Sequence, residues 1–257
     1  MQDYAQQPDT LSAVPPSLPP RAEATNTITA SNLTKKYGGV TVLNIPSLTI
    51  RNGESFGLVG NNGAGKTTFF RLILDLIEAS AGEVLIEGEP VARSDGWKQK
   101  VGSFLDEGFL IDFLTPDEYF AFTAKLYNKS EGDLNSFLES MQEFFNGEIT
   151  GSGKLIRDLS KGNQKKTGIA AALLGDPQIL ILDEPFTALD PTSQIRLKRM
   201  LNELKRTRNM TMLISSHDLN HVTEVCERIV VLEKGLVVKD IATGEETLKE
   251  LESYFAV

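Results

Sequence analysis

The stretch Gly60-Asn61-Asn62-Gly63-Ala64-Gly65-Lys66-Thr67-Thr68 decides the fold. It fits the phosphate-loop pattern G-x-x-x-x-G-K-[ST], with Gly60, Gly65, Lys66 and Thr67 in the fixed positions. The apolar run Phe56-Gly-Leu-Val59 before it predicts a strand. After it, Phe69, Leu72, Ile73 and Leu76 recur at helical spacing on one face. The glycines let the backbone curl so that successive N–H groups face phosphate oxygens. A helix starting near Lys66 adds its positive dipole end. Lys66 offers a point charge to the β- and γ-phosphates, and Thr67 offers a hydroxyl to Mg²⁺.

Working outward, the chain of 257 residues is long enough for one large α/β domain or two small ones. No stretch approaches the roughly 20 apolar residues that cross a bilayer, so any membrane work needs another subunit. The first residues, Met1-Gln-Asp-Tyr-Ala-Gln-Gln-Pro, lack the basic and apolar segments of a secretory signal. Cys226 is the only cysteine, which excludes an intrachain disulfide and reads as a packed thiol. A net charge of −9 argues against nucleic acid as a partner. Two basic clusters, Lys161–Lys166 and Arg196–Arg208, do occur. The second reads as a solvated helix face.

Residues 1–24, with Pro8, Pro15, Pro16, Pro19 and Pro20, read as a disordered Pro-rich tail. A single domain is expected over residues 25–257. From Thr27 to Ile50 apolar residues alternate around turn signals at Gly38-Gly39 and Asn52-Gly53, predicting antiparallel strands beside the phosphate loop. Tyr37 stands at one of these turns, where its ring can stack on a base or simply pack. Gly82–Gly88 reads as another strand. Thr115-Pro-Asp-Glu118 is a capping box opening a helical insertion, expected over about 103–175. Its aromatics, Phe120, Phe122, Tyr127, Phe137, Phe144 and Phe145, read as core.

Leu159-Ser160-Lys161-Gly162-Asn163 opens an alanine-rich helix. Gln178-Ile-Leu-Ile-Leu182 then reads as a buried parallel strand with Asp183 and Glu184 at its C-terminal tip. Asp183 can hold Mg²⁺, and Glu184 can orient and deprotonate an attacking water. Asp190-Pro191 caps a helix whose apolar face is Leu197, Met200, Leu201 and Leu204. Met210–Ser215 is a further buried strand, with His217 just beyond its tip. Ile229–Val238 reads as a hairpin turning at Lys234-Gly235, and Leu248, Leu251, Tyr254 and Phe255 as a short final helix.

Together these motifs resemble the nucleotide-binding subunit of an ABC (ATP-binding cassette) transporter, from about Thr27 to Val257. Tyr37 matches the family's aromatic A-loop, Gly60–Thr68 its Walker A, and Leu159–Asn163 its signature. Ile179–Glu184 matches Walker B with its catalytic glutamate, Ala188-Leu189-Asp190 the D-loop, and His217 the switch histidine. Walker A and B are shared by many NTPases; the signature between them is specific.

The resemblance implies an α/β P-loop NTPase core with a parallel sheet, an antiparallel β subdomain and a helical subdomain. It implies ATP and Mg²⁺ as cofactors, Thr67 and Asp183 on the metal, and Glu184, His217 and Lys66 as catalytic residues. It implies a second cassette, the same chain in a homodimer, with each ATP between one Walker A and the partner's signature. It implies a membrane-spanning permease that holds the subunit at the cytoplasmic inner face of the membrane. Two positions depart from the family. The signature reads Ser-Lys-Gly-Asn, a form similar to many single-cassette exporters, and this with the short region after the hairpin favours export. Asp106 stands where the Q-loop glutamine is expected; an acid can touch Mg²⁺ or a water but cannot donate an amide hydrogen bond. The alternatives are a soluble ABC-type ATPase acting outside transport and a non-catalytic nucleotide sensor.

Overall fold

The computed structural model describes residues 26–256; the expected N-terminal tail lies outside them. Among these residues ten strands and eight α-helices follow in order, with four short 3-10 turns between them. β1 (Asn26–Tyr37), β2 (Val40–Arg51) and β3 (Ser55–Val59) lead into α1 (Lys66–Ile73). β4 (Ala81–Ile86), β5 (Glu89–Pro90) and β6 (Val101–Phe104) follow. Then come α2 (Pro116–Leu126), α3 (Glu131–Ser140), α4 (Gln142–Phe145) and α5 (Lys161–Leu173). β7 (Ile179–Leu182), α6 (Pro191–Arg208), β8 (Thr211–Ser216) and α7 (Leu219–Val225) precede β9 (Arg228–Glu233), β10 (Leu236–Ala242) and α8 (Thr247–Phe255).

The strands form two sheets. One is antiparallel, in the order β2-β1-β4-β5. The other runs β10-β9-β3-β8-β7-β6 and is parallel from β9 to β6, with β10 antiparallel at its edge. β3, β7 and β8 are buried along their whole length, as strands covered on both faces must be. Between the two sheets, α1 and β1 to β4 enclose one apolar cluster containing Leu33, Ile45, Phe56, Phe69 and Phe70. On the other side, helices α2 and α4 to α8 build a second cluster with Phe120, Phe145, Ile169 and Leu197.

The helices from α2 to α5 lie in sequence between β6 and β7. α5 returns to β6 at close range. A Cβ on Gly168 would stand 2.1 Å from the Phe104 ring, and one on Gly102 would stand 1.9 Å from the carbonyl of Ala172. Only residues without side chains allow that approach. Ser103 and Phe104, at the start of the expected helical insertion, are the end of β6.

Several sequence expectations need correction. α1 stops at Ile73, and Leu76 lies beyond it, exposed. Leu74 leaves the helical region and Asp75 turns left-handed with φ 51, which ends the helix without a glycine to announce it. Phe122 is also exposed, whereas Phe120, Phe144 and Phe145 are core. In the Lys161–Lys166 cluster, Lys165 and Lys166 are buried. Cys226 is buried as expected, and burial pushes its thiol far above the usual range, so it stays an inert thiol.

Candidate functional site

The site sits outside the carboxyl ends of β3, β7 and β8, where open parallel sheets bind ligands. Gly60 follows β3, and the loop curls back to a left-handed Gly65 that begins α1 with no side-chain cap. The loop is braced from outside. Ala64 accepts from the N–H of Gly235 at 2.9 Å, and the Gly235 carbonyl accepts from Asn44 at 2.8 Å. The Lys234-Gly235 turn of the last hairpin and β2 therefore fix the loop from two distant parts of the chain. A pocket of about 290 Å³ opens there, lined by Tyr37, Asn61 to Thr68 and Glu184. Tyr37 is half exposed, with Lys35 over its ring at 4.9 Å.

Lys66 is buried. Its ammonium donates to the Gly60 carbonyl at 2.6 Å and lies 3.2 Å from Glu184 Oε1. Thr67 Oγ1 donates to Asp183 Oδ2, and Ser215 donates to the other Asp183 oxygen. Burial raises the Asp183 pKa, and the hydrogen bonds from Ser215 and Thr67 counter part of that rise. Glu184 has φ 48, a left-handed backbone, immediately before Pro185. Its Oε2 contacts His217 Nδ1 at 2.9 Å, and its N–H donates to Ser215 at 2.9 Å. Its Oε1 is buried, close to Lys66 but not aligned with any hydrogen-bond donor. Lys66, Thr67, Asp183, Glu184 and His217 thus come together from three strand tips.

Asp106 does not join them. Its side chain accepts from the Gly108 N–H at 2.8 Å and faces Arg71 at 3.7 Å. The Leu159–Asn163 segment stands apart too. Ser160 is exposed and caps α5, its Oγ accepting from the Asn163 N–H at 3.2 Å. Leu159 is buried, and Lys161 is exposed with its ammonium 3.2 Å from Gln164 Oε1. Gly162 packs so closely on the D-loop that a Cβ would stand 2.7 Å from the Ala188 carbonyl. Asp190 caps α6 through the Ser193 N–H at 3.0 Å, and its hydrogen bonds to Ser193 hold its carboxyl below the usual range.

Thr67 and Asp183 supply a hydroxyl and a carboxylate side by side, an oxygen-only donor set that fits Mg²⁺. Among the described residues no group of three or more His, Cys, Asp or Glu side chains forms a self-sufficient metal cage. That also fits Mg²⁺, which takes few protein carboxylates and relies on water and substrate phosphates.

Sequence reasoning missed Ser215, Gln164 and Lys165. Ser215 fixes both acids and had a weak signal, a small polar residue ending an apolar strand. Gln164 donates to the carbonyls of Ile156, Arg157 and Leu159 and so ties down the approach to α5. Lys165 shares the helix face of Ile169 and Ala172, the one clue that it points inward.

The family profile described as "ABC transporter" matches residues 43–187. The chain belongs to the ABC transporter family, as an ATP-binding subunit. It is 33% identical over 228 residues to the uncharacterized ABC transporter ATP-binding protein YhcH of Bacillus subtilis, covering 87% of this chain and 72% of that one. Relatives named for opposite directions match about equally. The Nod factor export ATP-binding protein I of Rhizobium meliloti is 34% identical, over 84% of this chain and 64% of its own. The methionine import protein MetN of Caulobacter vibrioides is 32% identical, over 85% and 68%. Among solved structures, an ATP-binding subunit of an ABC transporter superposes with TM-score 0.78 at 28% identity, covering 90% of this chain and all of that one. The cassette MJ0796, dimeric and bound to ADP and Pi, gives TM-score 0.75 at 26% identity, over 85% and 99%. The fold is therefore that of the ABC ATPases, a P-loop NTPase core of mixed parallel and antiparallel sheets with helices.

Proposed function

We propose that this chain hydrolyses ATP to drive a separate membrane-spanning permease, working as a head-to-tail pair of cassettes. The observation that carries the reading is Glu184 Oε1. It is a buried acceptor between Lys66 and the His217 side, without an aligned donor, at the edge of the phosphate pocket. An acceptor in that position suits the O–H of an attacking water. Lys66 has donors to spare beyond the Gly60 carbonyl and would turn them to the β- and γ-phosphates. Tyr37 would stack on the base, and the loop amides of Asn61 to Thr68 would cradle the phosphates. His217 would hold Glu184 and reach the γ-phosphate. Thr67 and Asp183 would hold Mg²⁺, which when bound neutralises phosphate charge. Asp106 would enter that sphere only by releasing Gly108 and Arg71.

The pairing rests on the start of α5. Among the described residues the backbone N–H groups of Lys161 and Gly162 have no hydrogen-bond partner, and no acid stands in the first turn. A second chain's triphosphate would complete them. The D-loop, Ala188 to Asp190, lies against Gly162 and would follow its movement.

The permease reading rests on an apolar groove. A cavity of about 840 Å³ runs between β6 and α2, lined by Leu76, Trp97, Phe109, Phe122 and Leu126 among others. Leu76, Phe109, Phe122 and Leu126 are all exposed there. Exposed apolar surface on that scale suits a protein partner, and no helix among the described residues is long and apolar enough to cross a membrane. A permease segment docked there would place the subunit on the cytoplasmic face. α2 and the loop after β6 would carry that contact, together with Leu76 and Trp97. Export is the direction favoured, on the Lys161 form of the signature.

Glu184→Gln tests the hydrolytic assignment. Turnover should fall about 10²–10⁴-fold while ATP binding persists and the chain accumulates as a dimer. Undiminished turnover would remove Glu184 as the base. Pull-down from solubilised membranes tests the permease; recovery of ribosomes or nucleic acid instead would overturn that part.

A further inference from the structure

Lys165 is a buried ammonium to which the reading above gives no task. It projects from α5 with a side chain 6% exposed. Nζ donates to the Glu184 carbonyl at 2.9 Å and to Thr187 Oγ1 at 3.1 Å. Its nearest carboxylate is Glu107, at 3.6 Å, in the loop after β6. The Phe104 ring lies 5.7 Å away. Removing an ammonium from water is costly unless it is well paired, and a single carboxylate at that distance pairs it thinly. A methionine would fill the same space at lower cost, so the charge itself points to a task.

Glu184 supplies one. Its φ of 48 is a backbone state that side chains other than glycine adopt only against strain. Its peptide is therefore held at both ends. The N–H goes to Ser215, and the carbonyl accepts from Lys165 and, at 2.8 Å, from Thr187 Oγ1. Lys165, Thr187 and the Glu184 carbonyl form a closed triangle of hydrogen bonds. Loosening that carbonyl would let the turn relax and would strain the contacts of the carboxylate with His217 and Lys66.

We infer that Lys165 is a positioning residue for hydrolysis. Its ammonium clamps the Glu184 carbonyl, holds the left-handed turn, and sets the aim of the Glu184 carboxylate. Its contact with Glu107 ties that aim to the loop after β6. The inference rests on Glu184 being the base.

The test uses the full-length chain, with turnover, ATP affinity and thermal unfolding measured on each variant. Lys165→Met should lower kcat about ten- to hundredfold, because small misplacements of reacting groups are that costly. ATP affinity should stay within about twofold. The decisive measurement is the pair of variants. A residue that works through the Glu184 carboxylate has nothing left to do once that carboxylate is gone, so the effects are not additive. Adding Lys165→Met to Glu184→Gln should leave the residual single-turnover rate within about twofold. An equal fractional loss in both backgrounds overturns the inference, as does wild-type kcat in Lys165→Met. If Lys165→Met fails to fold, Thr187→Val decides, since it removes the other donor to the same carbonyl. A severalfold lower kcat at unchanged affinity supports the clamp, and wild-type kcat overturns it. Undiminished turnover in Glu184→Gln removes the base and the clamp together. A slow Glu184→Gln beside a normal Lys165→Met removes the clamp alone.

Discussion

Three helices of this chain begin in three different ways. α2 is closed by its own residues. Thr115 caps the Glu118 N–H, Glu118 reaches back to Thr115, and Asp117 and Glu118 put acid in the first turn. The hydrogen bonds from Thr115 hold the Glu118 carboxyl below the usual range. α1 and α5 have no acid in the first turn, and α1 has no cap at all. α2 has met its electrostatic needs within the chain, whereas the other two leave donors for an anion from outside. α1 and α5 differ again. Lys66 at the start of α1 is buried beside Glu184, while α5 begins at the surface with Ser160 and Lys161 exposed. One helix start is built into a pocket, and the other lies open at the surface.

Disabling each start separately and then mixing the chains separates the two roles. Lys66→Ala should lose ATP binding about ten- to hundredfold, the range of a lost charged hydrogen bond. Gly162→Asp should bind ATP normally yet hydrolyse at least about 10²-fold more slowly, since its Cβ would press on the Ala188 carbonyl and its acid would face the second cassette's triphosphate proposed for that place. Mixed together, the two dead variants should recover turnover, because one pairing joins an intact loop to an intact α5 start. No recovery in the mixture would count against head-to-tail pairing.

A smaller effect sharpens the contrast with α2. Thr115→Ala should lower unfolding stability by about 1 kcal/mol and leave kcat and ATP affinity unchanged. A change in kcat would mean that α2 is part of the working machinery and not only scaffold.

The smallest effect concerns His221, near the site but outside it. Burial against Phe186 lowers its pKa, with the Asp218 carboxylate pulling the other way. A histidine depressed on folding binds fewer protons folded than unfolded, so stability is lost as pH falls through the unfolded value near 6.5. Denaturation midpoints between about pH 7.5 and 5.5 should therefore drop more steeply in the wild type than in His221→Asn. Equal slopes would show that His221 does not contribute.

Much of the fold was legible because the decisive signals are local. The phosphate loop, the run Ile179–Leu182 before two acids, and the Thr115 box each announce their structure within a few residues. The turn at Lys234-Gly235 was equally clear, but its bond to Ala64 was not, because nothing in a hairpin says which loop it braces. The end of α1 was invisible, since Asp75 turns left-handed without being glycine. Phe122 looked like core because periodicity cannot separate a buried apolar face from an exposed one. For the site, the residue types of Lys66, Thr67, Asp183, Glu184 and His217 suggested their company, and the structure gathers them. Ser215 and Lys165 act through long-range contacts that only the folded chain reveals.

The hairpin's grip on the phosphate loop bears on how the protein is made. Ala64 is steadied by Gly235, and Gly235 by Asn44, so residues far apart in the chain must meet before the loop is firm. The parallel strands around it are also joined across long separations, which slows assembly. A growing chain on the ribosome would thus carry its most recognisable motif without a competent nucleotide cradle until Gly235 has emerged. ATP affinity would switch on only once the Lys234-Gly235 hairpin has emerged and closed on Ala64.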